Sequence, residues 1–185
     1  FQSYTGVTLD ETGNLSDREF KRLVVSALND ISKIASVDTK KTDLTPYRSA
    51  DIITPNLSTF NKICGYTEIS NLPKYARIVM KKFDLRSIMI TLSSKGLLYV
   101  DQENEILMPT ENQEVHDVTG AGDTVFAFWN ILIDHDYKID EKLRICNKAA
   151  SLSVKNIGNY AVKLSDIIES NNSKICKLND LKNLS

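Results

Sequence analysis

One short segment constrains the fold of this chain more than any other: His116-Asp117-Val118-Thr119-Gly120-Ala121-Gly122-Asp123-Thr124-Val125. Two of the seven glycines flank Ala121, and Asp123 follows at once. The residues after the segment are nearly all large and apolar, which predicts a helix that is buried on all sides. Small residues at the start of a helix expose backbone N–H groups, and the helix N-terminus adds partial positive charge. The segment therefore predicts an anion site at the glycine turn (Gly120, Ala121 and Gly122), with a carboxylate beside it.

This combination of groups suits phosphoryl transfer. Backbone N–H donors stabilise the charge on a moving phosphate, and a carboxylate can accept the proton of the attacking hydroxyl. A carboxylate at the mouth of a buried helix is costly unless it is paired or used. We therefore interpret Asp123 as a general base. A purely structural interpretation stays open, in which Asp123 only stabilises the helix dipole and the glycines form a turn without a ligand.

Composition describes an ordinary soluble globular chain. Its 185 residues are 42% hydrophobic and 25% charged, with a net charge of −1, and the length suits one domain with a sizeable core. The sequence shows no basic block, no signal peptide and no apolar run as long as a membrane span. We therefore expect neither nucleic acid nor a membrane as partner. The three cysteines (Cys64, Cys146 and Cys176) lack metal-ligand spacing and predict reduced thiols in a cytoplasmic protein.

Strands and helices alternate along the predicted chain. Strands are expected at residues 35–38, 50–53 and 87–92, followed by a hairpin of Leu97–Val100 and Glu105–Met108. Helices are expected at residues 16–34, Leu57–Cys64, Leu72–Phe83, the segment after the glycine turn, residues 139–157 and Leu164–Glu169. This order predicts an α/β fold in which a mostly parallel sheet carries helices on both faces and binds ligands at the carboxyl ends of its strands. We expect one domain over residues 1–169 and a polar tail or linker over 170–185.

Several segments resemble the ribokinase-like (PfkB) sugar kinases. Residues 117–124, Asp-Val-Thr-Gly-Ala-Gly-Asp-Thr, resemble the signature of that family, and residues 54–58 and 90–96 fit the same register. Residues 108–110 and 37–41 are similar to one branch, the bacterial heptose-7-phosphate kinases of ADP-heptose synthesis. The resemblance runs from about residue 31 to about residue 168. It implies a ribokinase-like fold whose N-terminal portion and lid are missing here, so we expect these residues alone to be weakly active or inactive.

The resemblance also implies a reaction. It implies phosphorylation of heptose 7-phosphate to heptose 1,7-bisphosphate by ATP, in the synthesis of a lipopolysaccharide precursor. Mg²⁺ is the implied metal, with K⁺ as a further ion, and the implied partners are a sugar phosphate, a second copy of the chain and a fused nucleotidyltransferase domain. Two alternatives stay open: a nucleotide-binding domain that has lost catalysis, and a kinase of this family for another sugar.

Further site residues follow from the same resemblance. Nucleotide contacts are implied for Asn56, Thr91, Ser93, Gly96 and Asn147, sugar-phosphate contacts for Asp38 and Lys41, and monovalent-cation contacts for Asp117 and Thr119. Structural alternatives remain, since asparagine at position 56 is a good helix N-cap, Asn147 can be a solvated helix residue, and two charges at a strand end are usually just exposed. The chain departs from the family pattern Asn-x-x-Glu, because Thr59 stands where the glutamate is expected. This departure weakens the expectation of tight magnesium binding and of turnover.

Overall fold

The structure is a computed structural model that describes residues 34–110, 120–154 and 162–169. Within these ranges the strands are β1 (Ser36–Val37), β2 (Ile52–Ile53), β3 (Ser87–Thr91), β4 (Leu97–Val100) and β5 (Glu105–Met108). The α-helices are α1 (Leu57–Cys64), α2 (Leu72–Phe83), α3 (Ala121–Leu132), α4 (Ile139–Ser153) and α5 (Leu164–Glu169). Short 3₁₀ helices occupy Thr45–Tyr47, Ile69–Asn71 and Ser93–Lys95. Residues 16–33 of the expected helix and the expected tail at 170–185 lie outside the described residues, and Ile34, where that helix was expected to end, is not helical.

The five strands form one sheet in the order β1-β2-β3-β4-β5. β1, β2 and β3 are parallel, with Ser36 opposite Ile52 and Ile52 opposite Ser87. β4 and β5 are neighbours joined by a four-residue turn, so they form the predicted hairpin. The Asp101 carboxylate closes that turn by accepting the backbone N–H groups of Glu103 and Asn104 at 2.8 and 2.6 Å. The α/β class with a mixed, mostly parallel sheet is thus confirmed.

The chain divides into two compact units, and the described part of the first comprises residues 34–90 and Tyr99–Glu105. In this unit α1 packs against α2, and Phe60, Leu72 and Ile88 are fully buried. β1 and β2 are shorter than predicted. The Ala35 N–H donates to the Asp51 carboxylate at 2.7 Å instead of extending the strand. Apolar content alone could not show that a side chain would take this donor.

The described part of the second unit comprises Thr91–Leu98 and residues 106–110, 120–154 and 162–169. Here α3 packs against α4, and α4 packs against α5. The prediction that the helix after the glycine turn is buried on all sides is wrong. Its buried residues recur every three or four positions and so form one face (Val125, Phe128, Trp129 and Leu132). Ile131 lies off that face and is 49% exposed.

Two expectations from composition concern the thiols and the membrane. Cys64 and Cys146 are free thiols, and burial raises the pKa of the Cys146 thiol to about 12. Cys176 lies outside the described residues. Across residues 34–110, 120–154 and 162–169, the structure contains no helix with the length and apolar character needed to span a membrane.

Candidate active site

The glycine turn starts helix α3 and is fixed by the residue that follows Asp123. Gly120 has a left-handed backbone with φ of 83° and stands at the N-cap position. Its carbonyl oxygen accepts both the backbone N–H of Thr124 at 3.0 Å and the Thr124 hydroxyl at 2.9 Å. Thr124 was not among the predicted site residues, although its place in the motif, four residues after Gly120, is a usable signal. The first N–H groups of a helix have no acceptor inside it, so this geometry leaves donors at the turn.

The described residues leave space beside the glycine turn. Among them, a Cβ added to Gly120 would meet no heavy atom within 4 Å, and one added to Gly122 would meet only the Thr91 hydroxyl oxygen at 3.9 Å. Thr91 is the last residue of β3, and Asp123 is exposed in the first turn of α3. The structure therefore places the Thr91 hydroxyl beside the glycine turn, and Asp123 follows that turn in the first turn of α3. Backbone N–H donors, a hydroxyl and a carboxylate are groups that suit a transferring phosphate.

Ser93 and Gly96 form the connection between β3 and β4. Ser93 has φ of 56° at the start of the 3₁₀ helix Ser93–Lys95, and Gly96 closes it with φ of 95°. A Cβ on Gly96 would collide with the carbonyl oxygen of Met108. Gly96 is thus required by the close approach of the end of β5. A nucleotide contact for Ser93 and Gly96 stays a prediction.

Asn147 is a buried residue of α4. Its side chain is not solvated, since only 8% of the residue is exposed, so the interpretation as a solvated helix residue is wrong. The side-chain Nδ2 donates to the carbonyl oxygen of Pro109 at 2.8 Å. The sequence analysis singled out residues 108–110 only for their resemblance to one branch, and it did not predict this bond, because a contact across 38 residues leaves no local signal. The predicted approach of Asn147 to the nucleotide base stays a prediction.

Asn56 caps helix α1. Its side-chain oxygen accepts the backbone N–H of Thr59 at 2.8 Å, which confirms the N-cap interpretation. The Asn56 residue itself is exposed, whereas Thr59 is only 7% exposed. The position of the family's glutamate is therefore held by a buried hydroxyl residue that cannot supply a carboxylate.

Asp38 and Lys41 lie after the end of β1, and both are exposed. The Thr54 hydroxyl donates to the Asp38 carboxylate at 3.3 Å, and the Lys41 N–H donates to the Thr39 hydroxyl oxygen at 3.0 Å. Both threonines are 4% exposed, so buried hydroxyls hold this strand end in place. Sequence reasoning missed Thr54, because a buried threonine beside a strand has no distinctive pattern. The sugar-phosphate role of Asp38 and Lys41 stays a prediction.

Metal ligands are sparse in the part of the chain that the structure describes. It contains no group of three or more His, Cys, Asp or Glu side chains that could hold a metal ion. Asp117 and Thr119, the predicted monovalent-cation residues, lie outside the described residues. Asp123 is thus the one predicted site carboxylate that the structure places at the glycine turn.

Comparison with known proteins identifies the family of the chain. The model of the pfkB family carbohydrate kinases matches residues 20–165. Over 136 residues the chain is 37% identical to the bifunctional protein HldE of Shewanella piezotolerans, which covers 72% of this chain and 28% of that protein. Over 165 residues it is 34% identical to the bifunctional protein HldE of Photorhabdus laumondii, which covers 83% and 34%. The chain therefore spans about a third of the length of these curated relatives.

Solved structures share the fold. Phosphofructokinase-2 from Escherichia coli in complex with potassium matches with a TM-score of 0.74 at 19% identity, over 84% of this chain and 52% of that one. Ribokinase from Arabidopsis thaliana, complexed with ribose and ATP, matches with a TM-score of 0.67 at 24% identity, over 76% and 47%. The family model covers most of the chain, and these structures carry the same ribokinase-like fold. The chain belongs to the pfkB family of carbohydrate kinases.

Proposed function

We propose that the whole protein transfers the γ-phosphoryl group of ATP to a hydroxyl of a sugar phosphate. The substrate we propose is heptose 7-phosphate, with heptose 1,7-bisphosphate as the product. Membership of the pfkB family supports the reaction class. The identity of 33–37% to several proteins named HldE, together with residues 37–41 and 108–110, supports the branch.

The observation that carries the proposal is the open space at the start of α3. Gly120 and Gly122 leave room for a phosphate against the N–H groups of the helix, and Asp123 stands in the same turn. The helix N-terminus favours negative charge at this place. The Thr91 hydroxyl, beside Gly122, is a further donor toward the same space.

The proposed reaction transfers one proton and one phosphoryl group. Asp123 accepts the proton of the sugar hydroxyl while that oxygen forms a bond to the γ-phosphorus of ATP. The bond between the γ-phosphorus and the β–γ bridging oxygen breaks, and ADP leaves with the electron pair. The glycine turn stabilises the charge on the transferring group through its N–H donors. On the nucleotide side we assign Asn56, Ser93, Gly96 and Asn147, and on the sugar-phosphate side Asp38 and Lys41.

The ions fit this site to different degrees. Mg²⁺ would neutralise charge on the ATP phosphates, with Asp123 as the nearby protein carboxylate. Because the described residues include no metal-binding cluster, we expect most ligands of Mg²⁺ to come from the phosphates and water. We keep K⁺ as a proposal at Asp117 and Thr119, and no step of the reaction rests on it.

A second candidate function is nucleotide binding without turnover. Thr59 favours it, because a buried threonine replaces the family's glutamate in the first turn of α1. This candidate predicts that the protein binds ATP and releases no ADP with any sugar.

The test is a substrate panel on the full gene product. ADP release from MgATP is measured with heptose 7-phosphate, fructose 6-phosphate, ribose and no sugar. We expect release that depends on heptose 7-phosphate. Release that depends on another sugar would keep the kinase and overturn the branch, whereas ATP binding without release would favour the second candidate.

We also propose a cellular compartment, a domain organisation and an oligomeric state for the protein. We propose that residues 1–169 are part of a cytoplasmic kinase domain, that residues 170–185 link it to a nucleotidyltransferase domain, and that the protein forms a homodimer. The relatives are named bifunctional proteins and are about three times longer than the matched region. The gene sequence beyond residue 185 and the solution mass of its product test these points.

A further inference from the structure

Two contacts hold the same short stretch of backbone at the end of β5. The first is steric and involves Gly96. A Cβ at this position would lie 2.9 Å from both the carbonyl carbon of Pro109 and the amide nitrogen of Thr110, and it would collide with the Met108 carbonyl oxygen. The turn after β3 is therefore packed against this stretch, backbone to backbone.

The second contact is the hydrogen bond from Asn147 to the Pro109 carbonyl at 2.8 Å. Proline has no N–H group, so the carbonyl is the backbone group through which Pro109 can be held. Asn147 reaches it from α4, 38 residues further along the chain. We call Gly96, Pro109 and Asn147 together the Pro109 clamp.

The asparagine at position 147 indicates that this position requires a hydrogen-bond donor and not only a side chain that fills the space. On the same helix Leu143, Cys146 and Ala149 are fully buried, and Ser151, one turn after Asn147, is a second buried polar residue. A buried amide costs free energy unless it is hydrogen-bonded. An apolar side chain would fill this position without that cost, whereas only a donor can fix the Pro109 carbonyl.

We infer that Asn147 is a positioning residue of the nucleotide side of the site. It acts through the Pro109 carbonyl to hold the backbone against which the Ser93–Gly96 connection rests. The inference rests on the proposed function, since that connection is assigned there to ATP. Asn147 touches no reacting atom in this scheme, so its loss weakens ATP binding and leaves the chemical step intact.

The test compares two substitutions with a matched control, all in the full gene product. Asn147→Ala removes the amide. Asn147→Asp keeps the size of the side chain and removes the donor, and this second variant keeps the test decisive if the alanine variant does not fold. Asn130→Ala is the control, because Asn130 also donates its Nδ2 to a backbone carbonyl, that of Phe126, at 2.8 Å, but from an exposed position. The dissociation constant for MgATP, kcat and backbone hydrogen exchange at residues 93–97 are measured for each.

We expect both Asn147 variants to raise the dissociation constant by about five- to tenfold, the equivalent of one lost hydrogen bond. Exchange at residues 93–97 should become faster, kcat should stay within about twofold, and the control should match the wild type. Unchanged exchange or unchanged affinity in both variants would overturn the inference. If the wild type binds no MgATP, the proposed function fails and the nucleotide role of Asn147 fails with it, while the exchange data report separately whether the clamp exists.

Discussion

We expect Gly122→Ala to make the protein slightly more stable and far less active. Gly122 is the second residue of α3, and among the described residues a Cβ there would meet only the Thr91 hydroxyl oxygen at 3.9 Å, an ordinary van der Waals contact. Glycine in a helix interior costs about 0.5–1 kcal/mol relative to alanine, which is the upper limit for this first-turn position. For a domain of this size that gain corresponds to a rise in Tm of about 1–4 °C.

The same methyl group would occupy the space proposed for the phosphate. It would keep the transferring group away from the N–H donors of the turn, and the loss of one such donor typically lowers kcat by about 10²–10³. Stability is measured by thermal unfolding followed by circular dichroism. Activity is measured as sugar-dependent ADP release by the full gene product.

Gly65→Ala is the matched control for this prediction. Gly65 follows the last residue of α1 with φ of 84° and ψ of 158°, and among the described residues a Cβ there would meet nothing within 4 Å. Alanine in this conformation, which essentially only glycine adopts, costs about 1–3 kcal/mol, so we expect lower stability and unchanged kcat, the reverse of Gly122→Ala. Wild-type turnover in Gly122→Ala would refute the reasoning that the space beside the turn receives the phosphate.

Two further predictions concern local structure. Asn56→Ala removes the N-cap of α1 and should lower stability by about 1 kcal/mol; Asn56→Asp keeps the cap and should weaken only ATP binding, as chemical denaturation and titration would show. Asp101→Ala should destabilise the protein by about 1–3 kcal/mol, because it removes the acceptor of the Asn104 and Glu103 N–H groups. Although partial burial opposes ionisation, the hydrogen bonds from Asn104 and Glu103 hold the pKa of Asp101 below its usual value. A lowered pKa means that this stabilisation is complete above about pH 4 and is lost as pH falls through the folded-state pKa, so the difference from the wild type should shrink in acid unfolding curves.

The sequence predicted correctly those helices and strands whose ends are marked by Asn, Gly, Pro or Asp. The predicted ranges of α1 and α2 are confirmed, because Asn56 and Gly65 flank the first and Pro73 starts the second. The hairpin strands β4 and β5 are confirmed as well, since Asp101 and Asn104 mark the turn between them. At Asn56 and Asp101 the residue that marks the boundary also makes the hydrogen bonds that fix it.

Contacts between residues that are far apart in the chain could not be predicted from the sequence. The exposed side of α3 was missed, because an apolar residue such as Ile131 gives no sign of which face meets the core. The bond from Asn147 to Pro109 and the bond from Thr54 to Asp38 join residues that are 38 and 16 positions apart in the chain. At the site, the motif identified the glycine turn and Asp123, whereas Thr124, which fixes the turn, was missed although it stands in the same motif.

The central claim is that Asp123 is the base of a kinase, and one measurement tests it directly. Sugar-dependent ADP release and MgATP affinity are compared for the wild-type gene product, Asp123→Asn and Asp134→Asn, in which the control residue is an exposed aspartate just beyond the other end of α3. The account predicts that Asp123→Asn lowers kcat by several orders of magnitude while MgATP affinity changes little, and that Asp134→Asn behaves as the wild type. Turnover near the wild-type rate in Asp123→Asn would contradict the account.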